Sequence, residues 1–476
     1  MKNIKHPLVI DLDGTLTPCD TLWEMLASLL LSSPFKLFKV LPYIFKNRAI
    51  FKKQVSLLVN FNPHDLVYNT KLIDYIKMQR QLGRPIVLAT AADEIIAKSV
   101  YNHFGFFDAY FASNGEINLR GQTKEDLLTG LFGRQQFAYA GNDFSDFKVW
   151  SSASEVIVVN ASPKLLRRAT NLYPRCTIID PKQSLLLLWF KQMRVYQWAK
   201  NILIFIPIVF AHKYFDLELV AQSFLAFLSF GLAASSVYCI NDLFDLVPDR
   251  LHTKKSNRPL ASGLIPIAEG LFGLSVLTLS SFFLASYLSA YFVILILAYY
   301  LINIVYTSLI KKLAIIDVII LASLYLLRIL AGSLATNIPI SLWLLTFSIF
   351  IFVSLGFLKR YKELRQLNQT DVAQIPGRFY HTDDLEVVST MGIASGYISC
   401  LVLVLYLRSP EVSGFYHHLE YLWPGCLLVL YWISRTWLLA HRNKIDDDPV
   451  LYAIKDMQSW FILIILGILL LLAHSA

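Results

Sequence analysis

Three aspartates, Asp242, Asp245 and Asp249, stand at i, i+3 and i+7 directly after Asn241. A helix through them would stack their carboxylates on one face. They follow an apolar run, Leu217 to Ile240, and precede Arg250, Lys254, Lys255 and Arg258. Carboxylates crowded in this way repel one another unless a cation bridges them. Hard oxygen ligands that leave coordination positions open suit Mg²⁺ carrying the phosphates of a substrate. Lys255 and Arg258 would neutralise phosphate oxygens beyond the metal's reach. The competing reading is a solvated acidic loop. Against it stands the co-occurrence of Asn241-Asp242, the carboxylate spacing and the trailing Lys254-Lys-Ser-Asn-Arg-Pro-Leu-Ala-Ser-Gly263. Pro248 should interrupt the helix between Asp245 and Asp249 and displace Asp249.

A second set of reactive types lies near the amino terminus. Asp11-Leu-Asp13-Gly14-Thr15 follows the apolar strand Leu8-Val9-Ile10, and Pro85-Ile-Val-Leu-Ala-Thr90 is a strand ending in a hydroxyl. Lys124 stands in a polar segment, and Phe137-Ala-Tyr-Ala-Gly141 runs into Asn142, Asp143 and Asp146. An open parallel α/β sheet gathers such strand ends into one crevice. Asp and Gly also make ordinary turns, so Asp-x-Asp-Gly-Thr alone is a modest signal.

Two further groups are basic. Arg328 lies inside Tyr325-Leu-Leu-Arg-Ile-Leu-Ala-Gly332, where an unpaired charge is costly, so it is expected to face a bundle interior and an anion. Pairing with Asp317 is disfavoured, because eleven residues separate them, roughly 16 Å along a helix axis. Lys359, Arg360, Lys362, Glu363 and Arg365 form the other group, for which cytoplasmic anchoring is the plain alternative.

These residues require two kinds of scaffold. The chain has 476 residues, 55% hydrophobic and 16% charged, which points to a membrane protein. Residues 1 to about 185 carry interspersed charge, as soluble domains do. Beyond about 196, apolar runs near the roughly 20 residues of a spanning helix recur. Spans are expected near 198–212, 217–240, 267–288, 290–310, 313–336, 338–358, 387–407, 419–440 and 457–474. Loops after the second, fourth, sixth and eighth hold most Lys and Arg, which puts them and the amino-terminal half in the cytoplasm and Ala476 outside. The net charge of +9 follows this topology, with no basic arm or stripe for nucleic acid. The five cysteines are scattered without a CxxC pair, and no apolar leader precedes Leu8.

On these motifs, about 190–476 resembles the UbiA-type polyprenyl transferases, and within them the decaprenyl-phosphate phosphoribosyltransferases. The residues that carry the likeness are Asn241-Asp242-x-x-Asp245-x-x-x-Asp249, Asn257-Arg258-Pro-Leu, and Arg194-Val-Tyr-Gln-Trp-Ala-Lys200-Asn201. Leu327-Arg328-Ile-Leu-Ala-Gly332, Pro339-Ile-Ser-Leu-Trp343 and Lys359-Arg360 with Glu363 extend it. The resemblance implies an all-α polytopic bundle of about nine membrane helices, with Mg²⁺ on Asp242, Asp245 and Asp249. Asn241, Lys200, Lys255, Arg258, Arg328, Lys359 and Arg360 would bind substrate. Aromatic prenyltransferases of the superfamily carry a second aspartate-rich motif after the sixth span, where this chain has Lys359-Arg360-Tyr-Lys-Glu363. A basic site suits a phosphate monoester, so the expected partners are a polyprenyl phosphate lipid and a phosphorylated sugar donor, phosphoribosyl pyrophosphate. The alternatives are transfer of a prenyl group from prenyl diphosphate to an aromatic or other hydrophobic acceptor, and a transporter or scaffold with a signalling head. No internal repeat supports the transporter. Self-association of the chain is left open.

Residues about 6–180 resemble haloacid-dehalogenase-type phosphatases, an α/β Rossmannoid parallel sheet with a helical cap, here about 20–80. The resemblance implies that Asp11 is the nucleophile and forms an aspartyl-phosphate. Asp13 would be the general acid/base, and Thr90 and Lys124 would hold the phosphoryl group. Mg²⁺ would bind Asp11, the Asp13 carbonyl and the acidic end of the fourth motif, Asn142, Asp143 and Asp146. That motif departs from the usual pattern, with Asn142 where the first acid normally stands. A catalytically retired domain kept for docking is the alternative.

Overall fold

The computed structural model describes residues 6–45, 47–367, 374–375, 378–409, 412, 416–445 and 449–474; Ala476, expected outside the membrane, lies beyond them. The chain divides into two compact units. One comprises the chain through Met193 together with Tyr238–Ser275, and the other Arg194–Val237 together with Val276 onward. The first unit therefore takes in 238–275, which the sequence assigned to the membrane half.

Six parallel strands form the sheet of the first unit: β1 (Leu8–Ile10), β2 (Ile86–Asp93), β3 (Ala109–Ser113), β4 (Ala138–Gly141), β5 (Glu155–Val159) and β6 (Thr177–Ile179). Their order is β3-β2-β1-β4-β5-β6. Strands covered on both faces are continuous apolar runs rather than alternating ones, and Leu8, Val9 and Ile10 are all fully buried. The order reverses between β1 and β4, so a crevice opens at their carboxyl ends. Between β1 and β2 lie α1 (Thr21–Ser32), α2 (Pro34–Val40), α3 (Arg48–Leu58) and α4 (Thr70–Gln81). Asp20 caps α1 by accepting from the Leu22 and Trp23 amides. Met25, Leu29, Val40 and Val55 of these helices share one core cluster with Leu8 and Ile10, so the cap is packed onto the sheet. The remaining helices are α5 (Glu94–Phe104), α6 (Gln122–Phe132), α7 (Phe147–Trp150), α8 (Pro163–Leu172) and α9 (Leu185–Met193).

Eight helices among the described residues are long and apolar enough to cross a membrane, by length and composition. They begin with α11 (Leu217–Phe244), which follows the short α10 (Ile206–Phe210); α12 (Leu246–Leu251) comes next and is also short. Then come α13 (Ile267–Ser286), α14 (Ala290–Ser308), α15 (Ile316–Thr336), α16 (Leu342–Leu367), α17 (Leu385–Tyr406) and α18 (Trp423–His441). The short α19 (Pro449–Lys455) precedes α20 (Met457–His474). Along α13, Phe272, Val276, Leu279 and Phe283 form one exposed apolar stripe at helical spacing, as lipid contact requires.

The expected first span, 198–212, is different. It is a 3₁₀ stretch, Val195–Phe205, followed by α10. At about 2.0 Å per residue, eleven 3₁₀ residues rise roughly 22 Å, and five α residues add roughly 8 Å, so the pair still matches a hydrocarbon layer of roughly 30 Å. Within the second unit this segment lies hard against α15. A Cβ at Gly332 would stand 2.0 Å from the Ile204 carbonyl oxygen, an approach only glycine permits.

Candidate functional site

The helical ladder through the three aspartates breaks one step earlier than expected. Helix α11 ends at Phe244, and Asp245 adopts φ −97°, ψ 18° as the residue that opens α12. Pro248 then falls in the first turn of α12, where its missing N–H does no harm. The interruption expected from Pro248 between Asp245 and Asp249 thus falls at Asp245 instead. Asp249 is folded inward and is 1% exposed, beside Asp242 at 2%, whereas Asp245 is part-exposed. Arg258 bridges the buried pair: its Nη1 lies 3.0 Å from Asp242 Oδ1 and also donates to Asp249 Oδ2. Lys255 Nζ is 3.8 Å from Asp249 Oδ1.

Gln192, at the end of α9, donates from Nε2 to Asp242 Oδ2 at 2.7 Å, and its Oε1 is buried with no hydrogen-bond partner. Two carboxylates sharing one guanidinium, beside an orphaned amide oxygen, are the oxygen donor set that a hard cation such as Mg²⁺ would complete. Asp242, Asp249 and Gln192 would hold it. Gln192 carries no signal in the sequence. Among the described residues no three His, Cys, Asp or Glu side chains converge, so Asp245 does not join Asp242 and Asp249 in one such group.

In the second unit Arg328 is 5% exposed. Its Nε donates to Asn201 Oδ1 at 2.9 Å and its Nη1 to the Leu324 carbonyl at 2.5 Å. Phe230, Tyr325 and Tyr299 ring the guanidinium at 5.1, 5.5 and 5.8 Å. The Asn201 Nδ2 beside it is buried and has no acceptor. Lys200 Nζ lies 5.9 Å from the Tyr325 ring centre, which brings Lys200, Asn201 and Arg328 into one neighbourhood.

The basic group on α16 is divided. Arg360 is fully buried, its Nε 2.7 Å from Asp317 Oδ2 and its Nη1 2.6 Å from Glu363. Arg378 and the Tyr380 hydroxyl also hold Asp317, at 2.9 and 2.7 Å. A guanidinium so engaged is not available to a lipid phosphate, which corrects the expectation for Arg360. Lys359 sits on the same helix and is part-exposed. Arg378 and Tyr380 were invisible to sequence reasoning, because their partner lies 61 and 63 residues away.

At the carboxyl ends of β1 and β4, Asp11 Oδ1 is 2.9 Å from Lys124 Nζ. Lys124 also donates to the Tyr139 hydroxyl at 2.9 Å, and that hydroxyl donates to Asp146 Oδ1 at 3.0 Å. Tyr139 is a link that the sequence did not single out. The Asn142 and Asp143 amides donate to Asp146 Oδ2 at 2.9 and 2.8 Å. Burial, reinforced by the charge of Asp11, pushes the Asp146 carboxyl up to about 6. Burial and the neighbouring Asp20 push Asp13 up to about 7, although the Thr21 amide donates to its Oδ1 at 2.9 Å. Thr90, on β2, is fully buried and accepts from the Ala92 amide at 3.0 Å.

Asn142 and Asp143 do not join the metal set the sequence proposed. Asn142 Oδ1 accepts from Thr15 at 3.1 Å, and its side chain fills the space beside Gly14, whose φ is +74°. Asp143 is held by Arg120 at 2.6 Å and by Ser145 at 3.0 Å. Asp11 and Asp146 remain, two buried carboxylates whose mutual repulsion a divalent cation would relieve.

The pattern of the UbiA prenyltransferase family matches residues 202–473. The chain belongs to that family. The uncharacterised protein y4nM of Sinorhizobium fredii is 33% identical over 460 residues, which cover 96% of this chain and 89% of that protein. The likeness thus runs through both halves of this UbiA-family chain. The decaprenyl-phosphate phosphoribosyltransferase of Mycolicibacterium smegmatis is 35% identical over 198 residues, 40% of this chain and 61% of its own. A UbiA homologue from Archaeoglobus fulgidus, solved with GPP and Mg²⁺, aligns at 15% identity and a TM-score of 0.46 over 61% of this chain and all of its own. The protein is a multi-pass membrane transferase of the UbiA type with an α/β domain of six parallel strands at its amino-terminal end.

Proposed function

We propose that the membrane domain moves a 5-phosphoribosyl group from phosphoribosyl pyrophosphate to a polyprenyl phosphate at the cytoplasmic face of the inner membrane. The observation that carries this reading is Arg258 lying between the buried Asp242 and Asp249, a cation where a metal-bound diphosphate would need one. The bond from ribose C1 to the diphosphate oxygen breaks, the diphosphate leaves with the electron pair, and an oxygen of the polyprenyl phosphate bonds to C1. Mg²⁺, when bound, would neutralise charge developing on the departing diphosphate. Arg258 and Lys255 would swing from the carboxylates to phosphate oxygens. Arg328, with the unsatisfied Asn201 amide beside it, would hold a second phosphate, that of the donor or the lipid.

The head would then act as a phosphatase. Asp11 attacks phosphorus and the bond to the substrate oxygen breaks, with Asp13 supplying the proton to that oxygen. Water, giving its proton to Asp13, then attacks phosphorus, and the bond to Asp11 breaks to release inorganic phosphate. A carboxyl raised to about 7 is suited to give and take a proton near neutral pH. Thr90 and Lys124 would hold the phosphoryl oxygens. The test is to incubate the purified full chain and Mg²⁺ with labelled phosphoribosyl pyrophosphate or labelled prenyl diphosphate, each with polyprenyl phosphate and with aromatic acceptors. Label should enter lipid from phosphoribosyl pyrophosphate with polyprenyl phosphate. Transfer from prenyl diphosphate instead would make the chain a prenyl transferase and overturn the proposal.

A further inference from the structure

Arg250, next to Asp249, turns away from the aspartate cluster and enters the cap of the head, all within the first unit. Its Nη2 and Nη1 meet the two oxygens of Glu24 on α1 at 2.6 and 3.1 Å. Nη1 also donates to the Asp65 carbonyl at 2.7 Å and Nε to the Ala261 carbonyl at 3.1 Å. The two side chains are only 7% and 9% exposed. A second contact lies at Gly263, whose φ is +71°: a Cβ there would stand 2.8 Å from Cys19 Sγ and 2.9 Å from Pro18 Cγ. A third is apolar, with Ala27 of α1 packed on Leu188, Leu243, Leu246, Leu260, Ile265 and Ile267. The segment that carries Asp249 and Arg258 is thus held near one end by Glu24 of α1 and at the other by Pro18 and Cys19, in the turn that leads into α1. The first amide of that helix, Thr21 N, binds Asp13.

We infer that Glu24 and Arg250 are positioning residues for the transfer reaction: the cap helix of the head fixes where Asp249 and Arg258 stand. This rests on the reading that Asp242 and Asp249 serve the transfer. Neither Glu24 nor Arg250 would touch substrate. The pair is bidentate and buried, so a neutral isostere at either position leaves the other charge without its partner and frees α12 to shift.

The test uses the full chain in detergent, with wild type, Glu24→Gln, Arg250→Gln, Arg250→Lys and an Asp242→Asn control. Misplacing a carboxylate by about 1 Å is expected to lower kcat/KM for the phosphoribosyl donor roughly 10- to 100-fold in Glu24→Gln and Arg250→Gln, less in Arg250→Lys. The KM for the phosphoribosyl donor should rise while that for polyprenyl phosphate stays put, whereas a smaller folded fraction would lower kcat alone and leave both KM values unchanged. Hydrogen exchange should rise across 246–263 while β1 and β4 stay protected. Wild-type donor kinetics in Glu24→Gln beside an inactive Asp242→Asn would overturn the inference and leave the transfer site standing. An Asp242→Asn variant that transfers normally would remove the site reading and this inference with it.

Discussion

Arg258 holds two buried carboxylates that would otherwise repel each other, so the roles of the three aspartates separate at the level of single side chains. Replacing Asp242 or Asp249 by Asn is expected to lower transfer by roughly 10²–10³, the usual loss when one preorganised charge-stabilising group is removed. Asp245→Asn should cost much less, because Asp245 is part-exposed at the start of α12, whereas Asp242 and Asp249 are buried against Arg258. Steady-state lipid labelling distinguishes the three; equal losses at Asp245 and Asp249 would contradict the assignment. Arg328 gives a second prediction. Its planar fork already binds Asn201 and Leu324 along two edges, so Arg328→Lys keeps charge but loses directed donors. Donor and lipid binding should weaken in Arg328→Lys and nearly vanish in Arg328→Gln. Unchanged binding of both substrates in Arg328→Gln would exclude a phosphate contact.

Elements set what these side chains can reach. The backbone-to-backbone approach of α15 to the 3₁₀ stretch makes Gly332 intolerant of any side chain, and overpacking of this kind typically costs about 1–3 kcal/mol. Gly332→Ala should therefore lower the thermal midpoint of the detergent-solubilised protein. An unshifted midpoint would mean that Val195–Phe205 yields without cost. Strands β1, β2 and β4 were legible in the sequence, because a fully buried parallel strand is a short apolar run and each ended in a reactive residue. The broken first span was not, since hydropathy reports burial in lipid but not 3₁₀ winding. The position of the break before α12 was also missed: proline is excluded from a helix interior yet accepted in a first turn, and only the backbone shows which applies to Pro248. Gln192, Tyr139 and Arg378 belong to the same class of omission. Their partners lie 50, 15 and 61 residues away, so no local spacing could mark them.

At the scale of the whole molecule, a phosphatase head would give the proposed transfer reaction a direction. Transfer from phosphoribosyl pyrophosphate yields a lipid-linked ribose that still carries its 5-phosphate, and the reverse reaction with diphosphate needs that group. Removing it would convert a reversible step into a committed one, and a phosphatase on the same chain would do so at high effective concentration. The head has the groups for this: Asp11 against Lys124, the raised Asp13 carboxyl beneath α1, and Asp146 tied through Tyr139. An Asp11→Asn chain should accumulate the phosphorylated lipid at the wild-type rate of labelling, because the substitution leaves the aspartate segment untouched. Wild type should release inorganic phosphate with the same time course as label enters lipid. The measurement is chromatography of the extracted lipid beside a phosphate assay in one reaction. If wild type and Asp11→Asn accumulate phosphorylated lipid alike, the head does not act on this product. The engagement of Asn142 by Thr15 and of Asp143 by Arg120 would then account for it, since each takes a ligand away from the metal that a phosphoryl transfer at Asp11 requires.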